Sequence, residues 1–170
     1  MERKLGFFRW FRTLPLLAVA LTGLLCLGIS FAPHYLLRRF VFPVSHRAEI
    51  VESASRHGID TRLVCAIISC ESGWKENAQS GVGAIGLMQV MPITAETLAN
   101  FGYVDPYYYD MNNLADPATN IEYGCACLNY LDDNLESQDQ VIAAYNAGLG
   151  SVQSWMSDGG GSVSEVIAYP

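Results

Sequence analysis

The pattern of hydrophobic and polar residues divides the chain into two parts. In the first part, residues 14–32 (LPLLAVALTGLLCLGISFA) form an unbroken run of 19 apolar or small residues. A helix of that length extends about 28 Å, close to the ~30 Å hydrocarbon core of a bilayer. The run therefore predicts a single transmembrane helix, preceded by a tail at residues 1–13 and followed by a neck at residues 33–44.

A cleaved signal peptide is the alternative interpretation of the same run. Ser30 and Ala32 offer small residues to a signal peptidase. Against cleavage, Pro33 would follow the cut, and the run is longer than the usual apolar core of a signal peptide. We therefore favour an uncleaved membrane anchor.

The second part, residues 45–170, shows helical spacing of apolar residues with regular helix-ending residues. A first helix is predicted from Ala48 to His57, where Gly58 provides a stop. Asp60 caps a second helix, which is apolar on nearly every side, is placed at the centre of the core, and runs into Glu71. Residues 77–86 and 102–115 are expected to be a glycine-rich and an aromatic loop. Further helices are predicted at residues 94–101, 116–135, 139–146 and 152–156.

The charges follow the same division. The whole chain has 10 Lys and Arg and 17 Asp and Glu, for a net charge of -7. Residues 1–43 hold six of the basic residues and one acid, which leaves four basic residues and sixteen acids, or -12, in residues 44–170. A protein that coats nucleic acid is excluded on this balance, because neutralising phosphates requires a cationic surface.

Glu71 and the end of the helix at residues 139–146 carry the candidate chemistry. A carboxyl group that follows a hydrophobic helix is partly desolvated, which raises its pKa and favours a general acid. A solvated or capping glutamate is the alternative. Tyr145 and Asn146 are either polar site groups or a simple helix C-cap. The glycine-rich loop lacks the Gly-Lys-Ser/Thr ending of a phosphate-binding loop.

The cysteines and histidines show no metal-binding spacing. No histidine lies downstream of the four cysteines outside the apolar run to act as the base of a thiol hydrolase. Cys65 and Cys70 lie on one predicted helix, and Cys125 and Cys127 lie on another. Each pair splays by about 140 to 160 degrees, so at most one member can face the other helix. We favour small buried side chains over one inter-helix disulfide.

The aromatic run Tyr107, Tyr108 and Tyr109 is either a wall on which sugars stack or loop packing, because aromatic faces serve both uses. The residues alone leave these two interpretations open.

Several of these features fall into ordered blocks, namely CESGW at 70–74, NAQS at 77–80, GAIGLMQ at 83–89, PITA at 92–95, Asp116-Pro117 with Asn120-Ile121 and Gly124, and AYNAG at 144–148. In order, spacing and identity, the blocks closely resemble the soluble lytic transglycosylase family over residues 45–170. The resemblance implies a mainly α, lysozyme-like α+β fold with a cleft between two helical lobes. It also implies cleavage of the β-1,4 bond between N-acetylmuramic acid and N-acetylglucosamine in peptidoglycan, with 1,6-anhydro-muramic acid ends.

The resemblance also implies the roles of individual residues. Glu71 is the expected catalytic acid and base, acting without a metal or cofactor. Five further residues are expected to bind substrate or to position the acid: Ser80, Met88, Gln89, Tyr145 and Asn146. Because peptidoglycan lies outside the cell membrane, the tail is expected inside and residues 45–170 outside, as a single-pass membrane protein.

Two alternatives and two departures from the family pattern accompany this expectation. One departure is that the four cysteines of residues 45–170 stand where the family more usually has aliphatic or variable residues. A lysozyme-type muramidase would add water, with Glu76, Asp105 or Asp110 available as a second carboxylate. A wall-binding module would lack turnover. The family usually continues past the equivalent of Tyr169-Pro170 into another helix, so the domain is expected to be truncated at its C-terminus.

Overall fold

The computed structural model describes residue 15, residues 17–28 and residues 44–159. Contacts divide the chain into two units between Pro43 and Val44. In the first unit, residues 17–28 are helical and carry exposed side chains. Within the described ranges, no helix has both the length and the apolar character that a membrane crossing requires. The transmembrane helix at residues 14–32 stays a prediction, because residues 14, 16 and 29–32 lie outside the described residues, as do the tail and residues 33–43 of the neck.

Helices dominate residues 44–159. Isolated bridges join Ile85 to Gln79 and to Val90, in the connection that follows the second helix. The prediction of a mainly α fold is confirmed, whereas the division into two lobes stays a prediction. The helices are α1 (Arg47–His57), α2 (Thr61–Glu71), α3 (Pro92–Asn100), a 3-10 helix (Met111–Asn113), α4 (Pro117–Asp132), α5 (Gln138–Ala147) and α6 (Leu149–Gly159).

Local chemistry sets several helix ends where the sequence predicts them. The Asp60 carboxylate accepts a hydrogen bond from the backbone N–H of Arg62 at 2.8 Å and caps α2. The Asp116 carboxylate accepts one from the Thr119 N–H at 2.9 Å and caps α4. A side-chain oxygen at this position satisfies a backbone donor that the first turn leaves unpaired.

Three predicted boundaries are wrong. Helix α3 begins at Pro92, because proline has no N–H to lose and is tolerated at the first helical position. Helix α4 ends at Asp132, three residues early. The last helix is not a turn at 152–156 but runs from Leu149, because Gly148 alone, at φ 89°, separates it from α5.

Helix α4, and not α2, occupies the centre of the core. Ten of the sixteen residues of α4 are buried, against three of the eleven in α2. Helices α1, α3 and α5 all pack on α4, and α1 has the most extensive contact. The predicted central place of α2 is therefore wrong, since Ala66 on that helix faces solvent.

A buried ion pair joins α1 to α4. Glu122 is only 2% exposed, and its carboxylate is bound by the Arg56 guanidinium and lies 2.9 Å from His57 Nε2. Burial, the largest influence, opposes ionisation, but hydrogen bonds from His57, Arg56 and Ser53 lower the pKa of Glu122 below its ordinary value. The charge on α4 is thus stabilised by partners on α1.

We expect Glu122→Gln to destabilise the domain by about 3 kcal/mol at neutral pH, because Arg56 and His57 then face a neutral amide. The lowered pKa also predicts a pH dependence in the unaltered protein. The Glu122 contribution is complete above the ordinary pKa of 4.5 and is lost as the pH falls through the lower folded-state pKa. Urea unfolding at a series of pH values measures both effects.

Glu52→Gln is the matched control, because Glu52 is an exposed partner of the same Arg56, at 2.8 Å. Exposed pairs contribute little, so this variant should unfold like the unaltered protein. If Glu122→Gln were as stable as Glu52→Gln, the buried pair would not have the structural role assigned to it.

Candidate active site

Glu71 is the last residue of α2, and the chain turns sharply after it. Ser72 donates hydrogen bonds from both its backbone N–H and its hydroxyl to the Ile68 carbonyl, each at 3.1 Å. Gly73 and Trp74 then adopt the left-handed region, at φ 57° and 67°. A tryptophan in this region is strained, and such strain is found most often at functional sites. The turn thus fixes Glu71 at a helix end.

The Glu71 side chain is partly buried and uncompensated. Within the described part of the chain, it makes no hydrogen bond or ion pair. Burial therefore raises the pKa of Glu71 above its ordinary value of 4.5. A carboxyl group that stays protonated closer to neutral pH can donate a proton to a leaving group, which is the property a general acid requires.

Residues 78–90 form a tight loop, called here the site loop, which contains Ser80. The Ser80 hydroxyl oxygen accepts a hydrogen bond from the Ala84 N–H at 2.9 Å. The Ser80 N–H donates to the Ala84 carbonyl, also at 2.9 Å. The hydroxyl is held in place by its oxygen, so its hydrogen remains able to donate to a ligand.

Gln89 lies at the end of the site loop with a left-handed backbone, at φ 49°. Its side-chain nitrogen donates to the Gly86 carbonyl at 2.9 Å and to the Ala78 carbonyl at 3.2 Å. Both amide hydrogens are thereby used inside the loop. The part of the Gln89 amide left for a ligand is the oxygen, which can accept a hydrogen bond.

Met88 and Tyr145 meet through a backbone group. Met88 is wholly buried, and its predicted contact with substrate stays a prediction. The Met88 carbonyl accepts a hydrogen bond from the Tyr145 hydroxyl at 2.9 Å.

The electrostatics of Tyr145 connect it to Glu71. The pKa of Tyr145 lies well above its ordinary value of 10, chiefly because its hydroxyl is buried, with further contributions from Cys127 and Glu71. The Glu71 charge is therefore within electrostatic reach of the Tyr145 hydroxyl. Asn146 follows Tyr145 and is exposed on α5.

The structure links some of the predicted site residues by hydrogen bonds and others only by charge or by position in the chain. Hydrogen bonds connect Met88 with Tyr145, and the bonds to Ala78 and Gly86 hold Gln89 in the same loop as Ser80. Glu71 is related to Tyr145 by electrostatics, and Asn146 only by its position next to Tyr145.

The three tyrosines of the aromatic loop separate in the structure. Tyr107 and Tyr108 are 86% and 75% exposed, and their rings meet edge to face. Tyr109 is partly buried and accepts a hydrogen bond from Arg56 at 3.1 Å. Loop packing therefore describes Tyr109 and leaves Tyr107 and Tyr108 open to solvent.

The cysteines are unpaired. Cys125 is buried, and Cys65 and Cys127 are partly buried, but Cys70 is exposed beside Glu71. The expectation of small buried side chains is therefore wrong for Cys70. Burial raises the pKa of Cys125 and of Cys127 to about 12, so both are thiols at neutral pH.

The other candidate carboxylates have local partners. Glu76 lies 2.8 Å from the His46 ring. Asp105 and Asp110 accept backbone hydrogen bonds from Tyr107 and Asn112, both at 2.9 Å. A shallow depression of about 390 Å³ opens over residues 74–78, but Glu71 does not line it, so we do not place the chemistry there.

Sequence reasoning did not give Asn120 a site role, although Asn120 holds the site loop. Its side chain is fully buried and bonds to Ile85, Met88 and Leu114. The available signal was the place of Asn120 in one motif block and of Gly86 in another. The sequence does not show that these residues meet.

The fold and the site define a mainly helical domain in which the partly buried Glu71 carboxyl group has a raised pKa and, within the described residues, no hydrogen-bond partner. Residues 49–165 match the family model described as the transglycosylase SLT domain. The chain therefore belongs to this family.

Relatives and solved structures agree with that assignment. The soluble lytic murein transglycosylase of Escherichia coli K12 is 35% identical over 128 residues, which are 74% of this chain and 19% of that protein. Membrane-bound lytic murein transglycosylase C of Haemophilus ducreyi is 38% identical over 112 residues, 58% of this chain and 29% of that protein.

An inactive variant of the lytic transglycosylase Slt from Pseudomonas aeruginosa, with glutamine in place of a glutamate, superimposes with a TM-score of 0.64 at 34% identity. That match covers 71% of this chain and 20% of that one. The 70 kDa soluble lytic transglycosylase of Escherichia coli gives 0.64 at 35% identity, covering 71% and 19%. This chain thus spans about a fifth of those proteins.

The packing of Gly86 predicts that alanine at this position destabilises the domain more than alanine at other glycines of the site loop. Gly86 has φ 80°, and an added Cβ would lie 2.4 Å from the buried Asn120 side chain and 2.8 Å from the Leu114 carbonyl. We expect Gly86→Ala to destabilise the domain by about 3 kcal/mol, through backbone strain and overpacking together. The free energy of unfolding in urea measures the loss.

Two glycines of the same loop are matched controls. Gly83 has φ 92° but open space, and Gly81 has open space without a positive φ. Gly83→Ala should cost about 1 kcal/mol and Gly81→Ala close to nothing. Equal losses for Gly86→Ala and Gly83→Ala would show that the contact with Asn120 is unimportant.

Proposed function

We propose that residues 45–170 are a peptidoglycan lytic transglycosylase domain. It cleaves the β-1,4 bond between N-acetylmuramic acid and N-acetylglucosamine and leaves 1,6-anhydro-muramic acid ends. The observation that carries the proposal is the Glu71 carboxyl group, which is partly buried, lacks a partner in the described residues, and has a raised pKa. Its place within the CESGW block of a transglycosylase SLT domain supports the assignment.

A single carboxyl group is sufficient for this reaction. Protonated Glu71 donates its proton to the glycosidic oxygen, and the bond to the anomeric carbon breaks. The N-acetyl group of the substrate stabilises the oxocarbenium-like centre, as in substrate-assisted glycosidases. Ionised Glu71 then removes the proton from the muramic acid C6 hydroxyl, whose oxygen bonds to the anomeric carbon. The proton returns to Glu71, and no water is consumed.

The remaining predicted residues fit supporting roles in this reaction. The Ser80 hydroxyl hydrogen could donate and the Gln89 amide oxygen could accept a hydrogen bond, because neither is used inside the site loop, and both would suit sugar hydroxyl and acetamido groups. Tyr145 and exposed Asn146 supply further polar groups from α5. Met88 supports Tyr145 through its carbonyl.

Glu71→Gln should lower the release of anhydro-muropeptides by at least about 100-fold, because the amide can neither donate nor accept the transferred proton. Incubating the full chain with isolated peptidoglycan and analysing the products by mass spectrometry measures the loss. Release by the unaltered protein should persist above pH 4.5 and fall as the pH rises through the raised pKa of Glu71, since the acid must start protonated.

Glu96→Gln is the control, because Glu96 is an exposed glutamate on α3. It should release products like the unaltered chain. Full activity of Glu71→Gln would refute the assignment. Reducing ends in place of anhydro ends would identify a muramidase, and binding without product release would identify a wall-binding module.

We further propose that the domain is held outside the cell by a membrane anchor. Residues 1–13 form the cytoplasmic tail, residues 14–32 the transmembrane helix, and residues 33–44 the neck. The apolar run at 14–32 supports the anchor, as does the relative named membrane-bound lytic murein transglycosylase C. The anchor would hold the acidic domain close to its polymeric substrate.

Replacing Leu21 and Leu24 together by Arg should move the protein from the membrane to the soluble fraction, because two charges oppose insertion of the helix. Cell fractionation measures this distribution, and the same positions changed to Ile are the control. An intact mass that begins at Pro33 would instead identify a cleaved signal peptide and overturn the anchor.

A further inference from the structure

Asn120 is a polar side chain at the centre of the core. It lies in the first turns of α4 and is fully buried. Its amide oxygen accepts a hydrogen bond from the Met88 N–H at 2.7 Å. Its amide nitrogen donates to the carbonyls of Ile85 and Leu114, both at 2.8 Å. Both amide hydrogens and the oxygen are therefore used, and all three partners are backbone groups.

These bonds fix the part of the site loop that carries Met88 and Gln89. Asn120 holds the Met88 peptide by its N–H, while Tyr145 holds the same residue by its carbonyl. The Ile85 carbonyl, three residues earlier, is held by the other end of the Asn120 amide. One buried side chain thus fixes both sides of the turn at residues 85–88.

Two glycines allow the close packing between the site loop and α4 that these hydrogen bonds require. Gly86 packs against the Asn120 amide so closely that no Cβ fits between them. Gly124, one turn further along α4, packs in the same way against the Met88 side chain, with 2.3 Å left between an added Cβ and Sδ. The turn is therefore seated on α4 in one arrangement.

We propose that Asn120 is a positioning residue for the transglycosylase reaction. It acts through Met88 and Gln89: it sets the Met88 carbonyl that orients the Tyr145 hydroxyl, and it holds the turn that places the Gln89 amide. This inference rests on the proposed function. Asn120 does not touch the sugar or the reacting atoms.

Asn120→Asp and Asn120→Leu test the proposal, with kcat for anhydro-muropeptide release measured well below the unfolding temperature of each variant. We expect kcat to fall at least about tenfold in both, because small displacements of positioned groups lower rates strongly. Asn100→Asp, at the exposed end of α3, is the matched control and should leave kcat unchanged.

The pH dependence separates positioning from general stability. A protonated aspartic acid at 120 keeps an acceptor for the Met88 N–H and one donor for a carbonyl, whereas the ionised form has no donor. Burial raises the pKa of such a group, so the ratio of Asn120→Asp to unaltered kcat should rise as the pH is lowered from about 8 to about 5. The ratio for Asn120→Leu should stay constant. Two carboxylates stand close to Asn120 along the chain, Glu122 on α4 and Asp116 at its N-cap, and their negative charges would further raise the pKa of an aspartic acid at 120.

A double variant provides the second test. If Asn120 acts through the Tyr145 hydroxyl, Asn120→Leu should lower kcat less in a Tyr145→Phe background than in the unaltered protein. Losses that multiply, a flat ratio for Asn120→Asp, or an unchanged kcat with a lower unfolding temperature would each overturn the inference. Full activity of Glu71→Gln would instead refute the proposed function, so the two failures are distinguishable.

Discussion

The enclosure of α4 by its neighbours is the constraint on which the rest of the domain depends. A helix buried around its circumference must provide an internal partner for every polar side chain it carries. Within the described residues, no buried side-chain nitrogen or oxygen lacks a partner. Glu122 meets this requirement by binding α1, and Asn120 meets it by binding the site loop. The same constraint therefore both joins the helices and shapes the candidate site.

The environment of Glu71 is the opposite of that of Glu122, because Glu71 is partly buried without a hydrogen-bond partner in the described residues. The Glu122 carboxylate is compensated by a guanidinium and an imidazole, and its pKa is lowered. Glu71 is desolvated without compensation, and its pKa is raised. One fold thus contains a structural carboxylate and the proposed catalytic one, and the two differ in the partners that each has. A carboxyl group whose pKa is raised by burial is a candidate for proton transfer.

The acidic character of residues 44–170 bears on how such a domain would meet its substrate. With a charge of -12 by sequence count, long-range attraction to an anionic wall polymer is not available. Affinity would instead arise from short-range contacts of the kind that Ser80, Gln89 and Asn146 offer. Holding the domain close to the wall would offset the lack of electrostatic steering.

The sequence by itself determined the helical class, the capped starts of α2 and α4, and Glu71 at a helix end. These features depend on local spacing and on single capping residues, which are visible along the chain. It did not determine that α4 rather than α2 is central, that Met88 is buried, or that Asn120 holds the site loop. These three features depend on contacts between residues 32 or more positions apart along the chain. Examples are the close packing of Gly86 on Asn120 and of Gly124 on Met88. Only the tertiary structure decided them, because a side chain's burial depends on what packs against it as well as on its own polarity.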